Sequence, residues 1–174
     1  MKKWRVAYKS DISRYSKKPD KDVMLLLKYF RKCQFLSGGG IINRFLFKLI
    51  KRRMNVELFG KTDIGRGLYI GHPYGITINS DVVIGKNCNI HKGVLIGQEN
   101  RGSRKGTPII GNCVWIGVNA AIVGKVNIGD DVLIAPNSYV NCDVPSHSVV
   151  FGNPCIIKHK DNATEGYINN KVSN

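Results

Sequence analysis

Between Ile64 and Val140 an aliphatic residue returns every six positions, usually followed by glycine. Ile64-Gly65 and Ile70-Gly71 open the series. After a two-residue offset come Ile78, Ile84-Gly85, Ile90 and Ile96-Gly97; after one interruption come Ile110-Gly111, Ile116-Gly117, Ile122, Ile128-Gly129, Ile134 and Val140. A helix would space apolar residues three or four apart, and a half-buried strand would alternate them. A period of six predicts short strands joined by tight turns and wound into a prism, with the aliphatic side chains inward. Each hexad makes one face, three hexads make one coil, and only the stack of coils closes a core. The expected fold class is therefore mainly β, a parallel β-helix over residues 57–158, with a short N-terminal α-helical segment over 1–56 and a polar tail over 159–174.

The N-terminal segment follows a different pattern. Ser16–Pro19 reads as a loop, and Pro19-Asp20 opens a helix from Lys21 to about Leu36, with Val23, Leu26, Leu27 and Phe30 on one side. Gly38, Gly39 and Gly40 stop it. A second helix is predicted from Ile41 to Met54, with Ile42, Phe45, Leu46, Leu49 and Ile50 as its apolar stripe and Arg44, Lys48, Lys51, Arg52 and Arg53 around it. Of the formal net charge of +15, residues 1–62 carry most, seventeen Lys and Arg against four acids. The segment reads either as a cap on the open end of the prism, or against a neighbouring subunit, or as a basic amphipathic surface that touches anionic lipid or a lipid-linked glycan. Nucleic acid is disfavoured, because the basic residues are not interleaved with stacking aromatics and no recognition motif is present.

MKKWRVAYKSD carries charge with no apolar run behind it, so no secretory signal is expected. The apolar stretches are too short to span a membrane. Five cysteines, Cys33, Cys88, Cys113, Cys142 and Cys155, are odd in number and lack a CxxC pair. Free thiols and a cytoplasmic location follow, with Cys88 as a small buried hydrophobe.

The repeat, from about Glu57 to Lys158, resembles the hexapeptide-repeat acyltransferases, whose fold is a left-handed parallel β-helix and whose members move an acyl group from coenzyme A to a hydroxyl or amine. Tyr69-Ile70-Gly71-His72-Pro73-Tyr74-Gly75, where the frame slips by two, resembles the turn that carries the catalytic base in the serine acetyltransferase branch. A slip of this kind bulges the backbone and re-aims a side chain. The resemblance places the general base at His72 and its orienting carboxylate at Glu57, fifteen residues earlier, where the family has aspartate. His91, one coil above Gly71 and His72, is a second candidate histidine. His147 and His159, outside the repeat, take ordinary surface roles.

The resemblance further implies acetyl-CoA as co-substrate. The polar excursion 98–108 would offer Arg101, Arg104 and Lys105 to its phosphates or to an acidic glycan. Val114-Trp115-Ile116-Gly117-Val118-Asn119-Ala120 would offer Trp115, Gly117, Asn119 and Ala120 to the pantetheine arm. Gly152-Asn153-Pro154-Cys155 and Lys158 would line the far end of the groove. No metal is expected, since the ligand positions of zinc enzymes on this fold read Val118 and Val123. The charged groups that grip serine in the serine enzymes are replaced by Gly71, Gly106 and Thr107. The expected acceptor is therefore a sugar hydroxyl of a surface polysaccharide or its precursor. Serine itself is the alternative, and a non-catalytic binding protein is the alternative of another class. A homotrimer is expected from the resemblance.

Overall fold

The computed structural model describes residues 2–35 and 40–173. The predicted helix end at Leu36 and the stop at Gly38 and Gly39 lie outside the described residues. The chain forms a left-handed parallel β-helix with three faces. Face one stacks β1 (Asp63–Ile64), β4 (Val83–Ile84), β7 (Ile109–Ile110) and β10 (Asn127–Ile128). Face two stacks β2 (Tyr69–Gly71), β5 (Asn89–His91), β8 (Trp115–Ile116), β11 (Val132–Ile134), β13 (Ser148–Phe151) and β14 (Ile156–His159). Face three stacks β3 (Thr77–Ile78), β6 (Leu95–Gly97), β9 (Ala121–Val123) and β12 (Tyr139–Val140).

The period of six is the register of the stack. Ile64, Ile84, Ile110 and Ile128 pair in one column, and Ile70, Ile90, Ile116, Ile134 and Val150 in the next. Ile78, Ile96, Ile122 and Val140 make the third. All point inward and are buried. Glycine follows the aliphatic where coils approach closely: a Cβ added to Gly85 would sit 2.5 Å from the Gly111 carbonyl oxygen of the coil above.

A stack of coils leaves backbone groups unpaired at its first edge, which buried structure must satisfy. The helical segment does this. It has three helices, α1 (Lys3–Ile12), α2 (Lys21–Phe35) and α3 (Gly40–Arg53). Arg31 donates to the carbonyls of Ile64 (2.6 Å) and Gly65 (2.7 Å). Its guanidinium is held by Asp11 in a fully buried ion pair at 2.7 Å, and Asp11 also accepts from the Leu68 amide at 2.9 Å. The Tyr15 hydroxyl donates to the Ile70 carbonyl (3.0 Å) and accepts from the Ile70 amide (2.8 Å). At the far end β14 turns back antiparallel on β13. The tail then descends along the vertex between faces one and two, where Asp131 accepts from the Ala163 and Thr164 amides, each at 3.0 Å.

Two features depart from the sequence pattern. α1 has no apolar stripe to announce it; Ala7 and Asp11 are the residues it buries. Of the stripe expected on α3, Ile50 packs against the core and Leu46 is half-buried, but the rest does not pack inward as a cap would require. Ile42, Phe45 and Leu49 are exposed, and Phe47, outside that stripe, is the residue α3 buries. The cap is made by α1 and α2, whose polar side chains match the edge of the first coil.

Candidate active site

The vertex between faces two and three turns through a left-handed residue in coil after coil: Asn55, Gly75, Gly93, Asn119 and Asn137. Backbone bonds stack these corners, from the Gly93 amide to the Tyr74 carbonyl and from the Asn119 amide to the Lys92 carbonyl. In the coil of β5 the corner runs from Ile90 to Val94. In the coil of β2 it runs from Ile70 to Ile76, two residues longer. The extra residues create a second left-handed position at His72, with φ 59°. A non-glycine residue rarely adopts this conformation, and such strain clusters at functional sites. The Tyr74 amide closes the bulge on the His72 carbonyl at 2.8 Å, and the imidazole is exposed at the rim of a cavity.

That cavity, about 420 Å³, is walled by face two, by the Arg14–Asp20 segment and by the tail. Outward side chains of face two form an aromatic ladder. Tyr15 stacks on Tyr69 with centroids 4.4 Å apart, and Tyr69 lies 6.2 Å from His91. His91 is 4.7 Å from Trp115, which meets Tyr167 of the tail at 5.1 Å. Arg14 fastens the three walls, donating to the Gly67 carbonyl (2.6 Å), Asn89 Oδ1 (2.7 Å) and the Asn169 carbonyl (2.8 Å). Burial holds this guanidinium below its usual pKa.

His91 lies directly over Gly71, as the register of β2 and β5 requires. A Cβ on Gly71 would approach His91 Nδ1 to 2.5 Å, so only glycine fits beneath the ring. His91 Nε2 is buried and has no hydrogen-bond partner among the described residues. Burial, and then the neighbouring charge of His72, push its pKa below the ordinary 6.5. This shift disfavours the charged imidazolium, and each nitrogen of a neutral ring accepts or donates one hydrogen bond according to its tautomer.

His72, His91 and Trp115 thus share one cavity. Asn119 stands on the same vertex as His72, and the Tyr139 amide bonded to the Gly152 carbonyl brings the Gly152–Pro154 turn over the last coil. Gly117 is buried and Ala120 fully so, and neither offers surface to a ligand in the single chain. Lys158 is exposed on β14. Arg101, Arg104 and Lys105 are exposed in the excursion between β6 and β7, at the opposite edge of face three from His72. Glu57 bridges Thr77 below face three; among the described residues no hydrogen bond joins it to His72. Among those residues no group of three or more metal-ligating side chains gathers.

Sequence reasoning missed Arg14, Tyr15, Tyr69 and Tyr167. Tyr69 was recoverable, because the residue before each face-two isoleucine falls in one outward column, Tyr69, Asn89 and Trp115. The tail and Arg14 carry no such signal. Two cysteines scattered in sequence also meet, Cys142 and Cys155, with sulfurs 3.7 Å apart. Cys88 is buried as expected, which raises its thiol to about 12.

No family model matches the chain. It is 34% identical over 114 residues to a serine acetyltransferase of Synechococcus elongatus, covering 66% of this chain but 47% of that relative. It is 34% identical over 120 residues to a serine acetyltransferase of Helicobacter pylori, covering 69% of this chain and 70% of that one. Among solved structures, Neisseria gonorrhoeae serine acetyltransferase in complex with serine superposes with TM-score 0.71 at 26% identity, over 89% of this chain and 69% of that one. The Vibrio cholerae enzyme shares the fold, with TM-score 0.79 at 23% identity over 92% and 68% of the two chains. By this similarity the chain belongs to the serine acetyltransferase family.

Proposed function

We propose that the chain transfers an acetyl group from acetyl-CoA to a hydroxyl oxygen, with His72 as general base. The observation that carries this reading is the strained bulge that sets His72 at the mouth of a walled cavity, one coil below a second imidazole, that of His91. Acetyl-CoA would supply the acyl group as a thioester. His72 would take the acceptor proton as its oxygen attacks the thioester carbonyl, and return it to the departing thiolate. Glu57 is proposed as the carboxylate that orients His72, by its place in the sequence alone. The vertex above His72, with Asn119 and the Gly152–Pro154 turn, offers backbone to a long thin arm, and Lys158 offers charge to phosphates at its end.

The names of the relatives support L-serine as acceptor over a polysaccharide sugar. One observation favours the sugar as a second reading. Gly71 stands where the serine enzymes carry an acid, and the His91 ring leaves room for no side chain there. The cavity is lined instead by Tyr69 and Trp115, and aromatic lining suits a sugar ring better than the charged groups of an amino acid. Thiol release from acetyl-CoA, measured with L-serine and with a panel of neutral and acidic glycans, separates the two. No release with any acceptor, together with no acetyl-CoA binding by calorimetry, would leave a non-catalytic binding protein.

A homotrimer is part of this proposal. His72 and the cationic excursion 98–108 border opposite edges of face three, so one chain does not bring them together. Neighbours packed around a three-fold axis would. Among the described residues no helix is long and apolar enough to cross a membrane, and a cytoplasmic enzyme working at the inner membrane surface is the location proposed.

A further inference from the structure

α3 carries an apolar face that nothing among the described residues covers. Ile41 is 85% exposed, Ile42 71%, Phe45 60% and Leu49 47%. At 100° per residue these four fall within about a third of the helix circumference. Beside α3 lies a groove of about 1010 Å³, floored by Phe45, Phe47 and Phe59 and edged by Arg44, Lys48 and Lys61. The helix holds five cations, Arg44, Lys48, Lys51, Arg52 and Arg53, and no acid. Arg53 pairs with Asp22 at 3.2 Å, and Lys51 is turned onto the Phe47 and Phe59 rings. Among the described residues no carboxylate lies within ion-pair distance of Arg44, Lys48 or Arg52.

An occupant must be apolar where the four side chains emerge and anionic around them. A second copy meeting α3 with α3 supplies the apolar part but sets five cations against five, with no carboxylate on either helix. The outer β-helix is nearly neutral and cannot complement them. An anionic bilayer supplies both parts over an area that accepts a helix lying flat. We infer that α3 is a membrane-docking helix for anionic phospholipid, with Ile41, Ile42, Phe45 and Leu49 below the headgroups and Arg44, Lys48 and Arg52 among the phosphates. This inference does not depend on the reaction proposed above. If the chain is trimeric, three such helices act together and avidity multiplies a weak single contact.

The test is co-sedimentation of the full chain with vesicles of phosphatidylcholine alone and of phosphatidylcholine with one third phosphatidylglycerol. Binding to the mixed vesicles, little binding to the neutral ones, and a steep fall between low and physiological salt are expected, since the Debye length is about 8 Å at the latter. Each cation near such a surface changes partitioning roughly fivefold. The triple variant Arg44→Gln, Lys48→Gln, Arg52→Gln should therefore bind on the order of a hundredfold more weakly. Phe45→Ser with Leu49→Ser should lose binding while keeping the melting temperature and the mass in light scattering. In Ile42→Trp, the emission added by the new indole should shift to the blue on mixed vesicles only. Equal binding to both vesicle types, absence of binding at low salt, or an unshifted indole would overturn the inference. So would a smaller mass for Phe45→Ser/Leu49→Ser, which would show that a second copy covers the face.

Discussion

Faces one and two of the prism are alike inside and unlike outside. Inward, both present a column of isoleucines at one register, equally buried. Outward, face one shows Asp63, Val83, Ile109 and Asn127, all exposed. Face two shows Tyr69, Asn89, His91 and Trp115, roofed by the Arg14–Asp20 segment and the tail. The fold is indifferent to which face a hexad occupies, because its stability comes from the inward half. The chemistry depends on what covers the outward half, and of these two faces the described residues cover face two and leave face one bare.

The difference breaks most sharply at His72. His72→Ala should lower turnover by roughly a hundredfold to ten-thousandfold, the usual range for loss of a general base, while leaving acetyl-CoA binding unchanged in calorimetry. Asn127→Ala, on the bare face, should leave turnover as it was. Equal losses from both would mean that the covered face is not the site. If His91→Ala alone abolished turnover, the two histidines would exchange roles.

Next in size is the pair that joins the helices to the first coil. Asp11→Asn leaves the buried Arg31 guanidinium uncompensated, at a cost of about 3–5 kcal/mol. Asp63→Asn, exposed on face one, should cost under about 0.5 kcal/mol. Denaturant unfolding reads both, and a small loss for Asp11→Asn would show that the cap is not anchored by this pair.

The inward columns should show no difference between faces. Ile110→Ala and Ile116→Ala each remove the same atoms from the same stack, and each should cost about 2–5 kcal/mol. A consistent excess on face two would mean that the roof contributes to the core and that the inside and outside are not separable.

These contrasts also explain what could be read from the sequence. Periodicity reports burial wherever burial repeats, so the prism, its register and the two-residue slip at His72 were all legible, and with them the position of His91 over Gly71. The roof was not. Tyr167 and Asn169 reach the cavity through scattered polar anchors, Asp131 on Ala163 and Thr164, Asn89 on the Tyr167 carbonyl and Arg14 on the Asn169 carbonyl, and scattered anchors have no period. α1 escaped for a similar reason, since the residues it buries are the small Ala7 and the charged Asp11, which no strong apolar pattern marks. On α3 the pattern was present but pointed outward, because a stripe specifies an apolar neighbour and does not say which one.

The smallest effect separates the faces by pH. His91, inside the covered face, has its folded pKa pushed below 6.5 by burial and then by the charge of His72. The unfolded chain therefore takes up a proton near pH 6.5 that the folded chain refuses until lower pH. Between those two values the unfolded state binds more protons, so stability falls as pH falls, by at most about 1.4 kcal/mol per pH unit. The ring is only partly buried, and solvent screening should keep the slope well under that limit. Above pH 7 the term vanishes, because both states are neutral. His91→Gln keeps a polar side chain beside Gly71 and cannot take the proton. Its unfolding free energy should fall less steeply than that of the parent chain between pH 7 and pH 5, and run parallel to it above pH 7. Lines parallel throughout would show that the ring ionises as freely in the fold as outside it, and that the covered face gives His91 no special environment.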